Sequence, residues 1–363
     1  MKKRKFPLLI LGMIFASLLL SACTGGAGIT TSWPGLYMDP QSETVFVAQG
    51  THVYAVNLTN GTEKWRFPAE ANNKLSFYAP PTLTADGQLI AGAYNNNLYS
   101  INPQTGQQNW VFDQAKDKYI GSAHAAGEMI YAPNNNNKIY ALDSNGSLSW
   151  EYKTEHAIWA QPLTDGERLY VASMDHRLYA LDPASGSLIW ESEDLGGAVV
   201  KSFAFDTLDV LYVGTLGEDL VAVSSKNGEI LWQTALNGWV WSLAVPAEGT
   251  LFLGDQEGFV YAIDAATGAI IWNVRPDTGA GRAILSTPVL AGESLYFASE
   301  AGILYAVDAA TGNPGWNKTI GGKIYSDLKL VGETILLAPN EFDSILVAVD
   351  LQGNNRWSFT PVK

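Results

Sequence analysis

The stretch YAIDAATGAIIW at residues 261–272 decides the fold. Apolar side chains alternate from Tyr261 to Asp264, a turn carrying Gly268 follows, and the chain resumes as Ile270-Ile271-Trp272. Alternation followed by a Gly-bearing turn and a second apolar run reads as a β-hairpin. The same pattern recurs along the whole chain. Trp65, Trp110, Trp150, Trp190, Trp232, Trp272, Trp316 and Trp357 are spaced by 45, 40, 40, 42, 40, 44 and 41 residues. Four positions before them lie Gly61, Gly106, Gly146, Gly186, Gly228, Gly268, Gly312 and Gly353. Each glycine follows a short alternating strand, from VYAVN at 53 and LYSIN at 98 to LYAVD at 304 and LVAVD at 346. Several strands in a unit of 40–45 residues predict propeller blades.

The fourth unit shows how a blade divides. Its strands are expected at His156–Leu163, Leu169–Ser173, Leu178–Asp182 and Leu188–Ser192, with turn residues between them. The expected fold is therefore all-β, an eight-bladed β-propeller of four-stranded antiparallel blades running over 33–363. Eight complete blades fit, with none split between the termini. The eight tryptophans read as wedges between neighbouring blades. Each would bury up to ~200 Å², with an upper bound on the order of 5 kcal/mol. Asp143, Asp182, Asp264, Asp308 and Asp350 stand at the same place in their units, which reads as turn capping rather than catalysis. The asparagine runs at 95–97 and 134–137 suit turn positions with positive φ.

Composition narrows the function. Of 363 residues, 47% are apolar and 16% charged, enough to bury a large core. The single cysteine, Cys23, excludes a disulfide framework and any zinc or iron–sulfur site built from cysteines. Lys2, Lys3, Arg4 and Lys5 are the only charges before it, so the rest carries 18 basic and 36 acidic side chains, a net −18. Such a surface repels phosphate backbones and anionic headgroups, which argues against nucleic-acid binding.

The N-terminus reads as an export signal. A basic start is followed by an apolar run from Phe6 to Leu20 and then small residues. Seventeen residues from Phe6 to Ala22, interrupted by Pro7, are marginal for a membrane span. Leu20-Ser21-Ala22-Cys23 resembles a bacterial lipobox, in which Cys23 becomes the lipidated first residue. The reading is a signal peptide at 1–22, and a lipidated cysteine with a Gly-rich tether at 23–32. Thr24 after the cysteine implies the outer membrane where the cell has two.

The units YAIDAATGAIIW, YALDPASGSLIW and YAVDAATGNPGW resemble the tryptophan-docking repeat of the quinoprotein (PQQ-like) propellers. The resemblance covers nearly all of 33–363 and implies an eight-bladed ring around a central channel. That family holds quinone-dependent dehydrogenases, lipid-anchored factors that assist outer-membrane β-barrel assembly, and lipid-anchored propellers with other roles. The dehydrogenases are usually longer and often carry a vicinal cysteine pair. Here no such pair and no Glu/Asn/Asp set for calcium stands out. The expectation is a chain with no cofactor and no metal.

Residues that could carry chemistry are few. His52, His124, His156 and His176 form no ligand spacing, and no GxSxG, Walker or GxGxxG motif is present. No catalytic residue is assigned. A binding site is more legible. In a propeller the loops between blades and the loops between second and third strands share the face around the channel mouth. Aligned first strands place Tyr78, Ile120, Trp159, Lys201, Trp241, Leu285 and Tyr325 before the small residues Ala79, Gly121, Ala160, Ser202, Ser242, Ser286 and Ser326. Tyr78, Trp159, Lys201, Trp241 and Tyr325 are the candidate binding funnel. Asp175, Glu218, Asp219, Asp255 and Glu257, with Glu300, Glu341 and Asp343, are the candidate acidic rim. An aromatic funnel rimmed with acid suits a peptide, a basic loop or a sugar. Channel packing with solvated loop acids is the plain alternative.

The function expected is a non-enzymatic, monomeric, lipid-anchored propeller that binds another envelope protein as a scaffold. Barrel assembly is the specific form that the resemblance implies. A quinone-dependent dehydrogenase and an extracellular carbohydrate- or peptide-binding module are the alternatives.

Overall fold

The computed structural model describes residues 33–362 except 40, 202, 206–208 and 243–244. The expected signal peptide, Cys23 and the tether lie outside the described residues, as does Ser202. Among the described residues every regular element is a strand. Eight antiparallel four-stranded sheets follow one another in chain order. The first is built from Gly35–Asp39, Thr44–Gln49, His52–Asn57 and Glu63–Phe67. The last is built from Lys329–Val331, Thr334–Leu337, Leu346–Asp350 and Asn355–Phe359. An additional two-stranded ladder pairs Lys323–Ile324 with Pro339–Asn340.

The core lies between blades rather than inside any one. Leu169–Ala172 and Leu178–Leu181 are buried at every position, because both faces of a middle strand meet a neighbouring sheet. Phe46 and Trp65 of the first blade pack with Leu89 and Tyr99 of the second. Val45 and Val47 of the first pack with Leu336 and Leu346 of the eighth. Single sheets of four short strands would be marginal, and the ring stabilises them by stacking.

The repeated tryptophan is placed by a bulge. In each blade the register between third and fourth strands shifts just before it, as at Ile189, Leu231 and Ile271. The extra residue re-aims the ring into the gap between blades. There the Trp190 indole N–H donates to the Ser225 carbonyl of the next blade at 3.0 Å. Trp65, Trp150, Trp232 and Trp272 repeat the bond to Pro103, Pro183, Ala265 and Ala309. The turn glycine serves two ends. Gly228 has a φ of +76°, and a Cβ there would lie 2.6 Å from Cε3 of Trp190. A side chain at this position would therefore be strained and would also strike the ring. Trp65 and Trp190 are buried, whereas the other six are half-buried, so ~200 Å² is an upper limit for most of them.

The same contact closes the ring. Trp357 donates to the Leu58 carbonyl at 3.0 Å, and a Cβ on Gly61 would meet Trp357 at 2.4 Å. No blade is shared between the termini. The expected turn caps also hold. Asp182 accepts from the Ser185 N–H at 2.7 Å, and Asp264 and Asp308 each accept at 2.8 Å from Thr267 and Thr311. Asn96 and Asn137 take φ of 69° and 68°.

The first strand departs from expectation. In the fourth blade only Leu163–Thr164 pairs as a strand, not His156–Leu163. The preceding residues use their backbone groups on the loops of two adjacent blades. Ile158 donates to Asn134 of the preceding blade at 3.3 Å, and Met174 of its own blade donates to Ala157 at 2.9 Å. The stitch recurs as Tyr119 to Ala93 with Asn135 to Lys118, and as Ile284 to Asp255 with Glu300 to Ala283. Groups committed to two loops cannot also pair with the second strand, so the strand begins late.

Candidate functional site

The stitched segments carry their variable side chains to the channel mouth. Tyr78, Trp159, Lys201, Trp241 and Tyr325 all line one cavity of about 350 Å³. Ile120 lines it too, and Leu285 does not. The volume falls at the small end of the range for ligand pockets, and the wall is largely aromatic.

Two aromatic groups face this space. Trp33 stacks on Tyr325 with centroids 5.2 Å apart and 16° between planes. It also meets Trp241 edge-on at 4.8 Å. Tyr78 stacks on Tyr94 at 3.8 Å, and the Lys118 ammonium lies 5.0 Å from the centre of the Tyr94 ring. Burial, helped by Tyr78, pushes the Tyr94 hydroxyl up to about 12. Trp159 donates its indole N–H to Asn135 Oδ1 at 2.8 Å. Tyr325 donates its hydroxyl to Glu300 Oε1 at 2.9 Å, and burial together with that carboxylate raises its pKa. Each ring is held by a partner while remaining half-exposed.

The charged end of the cavity is an ion pair between distant blades. Lys201 Nζ donates to Asp327 Oδ1 at 2.7 Å, and the Thr287 N–H donates to the same oxygen at 3.0 Å. Their side chains are 23% and 16% exposed. Burial pushes the Asp327 carboxyl up, but the Lys201 ammonium, Lys329 and the two hydrogen bonds outweigh it. The net effect holds Asp327 well below the usual carboxylate range.

The acidic rim is corrected in part. Among the described residues none of Asp175, Glu218, Asp219, Asp255 and Glu257 lines the cavity. Asp255 is fully buried, accepting from the Tyr261 hydroxyl at 2.7 Å and the Phe259 N–H at 2.9 Å. It shares a column at the end of the second strand with Ala93, Asn134, Ser173, Thr215 and Ser299, all buried beneath the stitched segment. Burial raises its pKa despite those bonds. Asp175 accepts from the Tyr179 hydroxyl of the third strand at 2.9 Å and from the N–H of Glu155, in the connection from the preceding blade, at 3.0 Å. Glu257 is neutralised by Arg282 at 2.5 Å and Arg275 at 3.7 Å. Glu218 and Asp219 make no ion pair among the described residues, and Glu218 is exposed.

Trp33, Tyr94 and Asp327 escape the sequence reading. Trp33 is the first blade's member of the funnel column, four residues before Tyr37 pairs with Phe46 as Trp159 stands four before Leu163 pairs with Tyr170, and the aligned column begins only at the second blade. Tyr94 lies in a loop outside that column. Asp327 had a usable trace. Two residues before the first strand begins to pair stand Pro80, Ser122, Gln161, Thr287 and Asp327, of which Asp327 alone is charged. The register corrects the place of Lys201, which stands three residues before its first pair where Tyr78 and Trp159 stand four before theirs. Asp327 is also the one carboxylate lining the cavity among the described residues, already neutralised by Lys201. That donor set does not suit a quinone held with calcium, which takes several oxygen ligands. Among the described residues no three His, Cys, Asp or Glu side chains cluster as metal ligands.

Comparison with known proteins bears on the same architecture. Outer membrane protein assembly factor BamB of Shewanella oneidensis is 23% identical over 262 residues, 66% of this chain and 62% of that protein. The Yersinia pestis protein of the same name is 25% identical over 283 residues, 73% of this chain and 67% of that protein. The chain thus spans under two thirds of the Shewanella protein's length. The crystal structure of BamB from Moraxella catarrhalis shares the fold, with a TM-score of 0.71 at 16% identity, over 87% of this chain and 96% of that one. The family model described as outer membrane protein assembly factor BamB matches residues 37–119, 118–239 and 235–360, nearly the whole ring, and the chain belongs to that family.

Proposed function

We propose that this propeller is a non-enzymatic, lipid-anchored scaffold of the bacterial envelope, working in outer-membrane β-barrel assembly. Its partner is another envelope protein, captured at the channel mouth. Lipidation at Cys23 would hold it to the membrane, the outer one where there are two, because multiple acyl chains anchor firmly whereas one binds marginally. Family membership supports the assembly role. One observation carries the choice of surface: half-exposed aromatic side chains from separate blades converge on a single cavity. Rigid, partly buried aromatic rings are the usual anchors of protein interfaces.

Trp159→Ala combined with Trp241→Ala tests it. Each anchor contributes about 2 kcal/mol or more at a hot spot, so the pair is expected to weaken partner capture by roughly a thousandfold. The melting temperature should stay nearly unchanged. The readout is pull-down from solubilised envelope followed by affinity measurement. Full-strength capture by the double variant overturns the channel-mouth assignment.

A further inference from the structure

Resting on that reading, we infer that the cavity selects a neutral, extended peptide segment by its amide, paired with the Lys201–Asp327 ion pair, and by an adjacent apolar side chain. The hydrogen bonds carry the inference. Trp159 and Tyr325 have spent their donors on Asn135 and Glu300, so these two rings offer mainly apolar contact. Lys201 spends one of three ammonium protons on Asp327 and has no other hydrogen-bond partner among the described residues. On Asp327, Oδ1 takes both the Lys201 and the Thr287 bonds, and Oδ2 accepts none from a described residue. Both residues line the cavity.

An open donor therefore stands beside an open acceptor. An amide answers both, its carbonyl accepting from Lys201 and its N–H donating to Asp327 Oδ2. Ligands of either charge are penalised. A cation would meet Lys201 and an anion would meet Asp327, and each must displace a largely desolvated partner to bind. The pair thus rejects both signs while the rings accept an aromatic or aliphatic neighbour.

Three blocked peptides test this on the full chain: acetyl-Phe-Asn-Phe-amide and its counterparts with Lys or Glu in the middle. Binding is read by the fluorescence of the cavity tryptophans and by calorimetry. The Asn peptide is expected to bind at least about tenfold tighter than either charged one, the scale of one mismatched buried polar contact. In the Lys201→Met/Asp327→Leu variant this preference should vanish. The wild-type comparison decides the matter alone if that variant fails to fold. Binding of the Lys or Glu peptide as tight as the Asn peptide overturns the inference. So does failure of the Asn peptide to bind, or quenching by maltotriose in its place. A wild type that captures its envelope partner yet shows no such preference sinks this inference alone. Capture that survives loss of Trp159 and Trp241 sinks the channel-mouth reading beneath it.

Discussion

The outer belt of docking tryptophans and the inner ring at the channel mouth rest on one eightfold backbone, yet they use sequence in opposite ways. In the belt the residue is constant and the contact nearly so: all eight rings lie against a glycine, and seven donate the indole N–H to the next blade's carbonyl. In the ring the backbone stitch recurs while the residue after it runs through Tyr78, Ile120, Trp159, Val200 and Trp241, with Lys201 one position further on. Constancy on a repeated scaffold marks what every blade needs in order to pack. Variation on the same scaffold marks positions released from packing and available for recognition.

The largest expected effect lies in the belt. Trp190→Ala removes a buried ring and its hydrogen bond and should destabilise by roughly 3–5 kcal/mol in chemical denaturation. Trp159→Ala removes a half-exposed ring and should cost no more than about 1.5 kcal/mol. Equal losses would erase the distinction between belt and ring.

Next comes the ion pair, which belongs to the ring but is built like core. Lys201→Met strands the Asp327 carboxylate and should cost roughly 2–3 kcal/mol, less than a fully buried pair because both side chains keep some exposure. Adding Asp327→Leu should recover most of that loss. The pH dependence has a definite sign. The folded-state pKa of Asp327 is depressed, so its contribution is present above the ordinary carboxylate value of about 4 and is lost as pH falls below it. The wild type should therefore lose stability between about pH 5 and 2 more steeply than the Lys201→Met/Asp327→Leu variant. Parallel acid profiles would mean the pair contributes nothing.

The belt and the ring also differed in how much of them could be read in advance. The belt was legible because each blade repeats residue type, spacing and role, from Gly61 to Trp357. The late start of the first strand in the blades after the first was not, since the backbone bonds before it run to loops on two blades and leave no mark on local alternation. The funnel column was legible, but its partners were not. Trp33 stacks on a residue 292 positions away, and Lys201 pairs with one 126 positions away. An acid in a loop reads as solvated, whereas the place of Asp255 is buried in the second to fifth and the seventh blades as Ala93, Asn134, Ser173, Thr215 and Ser299.

The smallest expected effect is at Glu218, where the constant backbone and the variable side chain meet in one residue. Its place in the turn between second and third strands is taken by Asn96, Asn137, His176, Gly258 and Gly302 in other blades, all with positive φ. Glu218 itself has a φ of 69°. A non-glycine residue there costs about 1–2 kcal/mol of backbone strain, against which glycine loses about 0.5–1 kcal/mol of extra chain entropy on folding. The difference leaves Glu218→Gly stabilising by roughly 0.5 kcal/mol. Glu218→Gln keeps the strain and removes the charge, so its stability should stay at the wild-type value while any steering of a basic partner weakens at low salt. The two variants separate backbone from side chain at one site. Paired denaturation curves read the first, and association rates against ionic strength read the second. If Glu218→Gly destabilises instead, the glutamate side chain is holding the loop, and this position belongs with the belt rather than the ring.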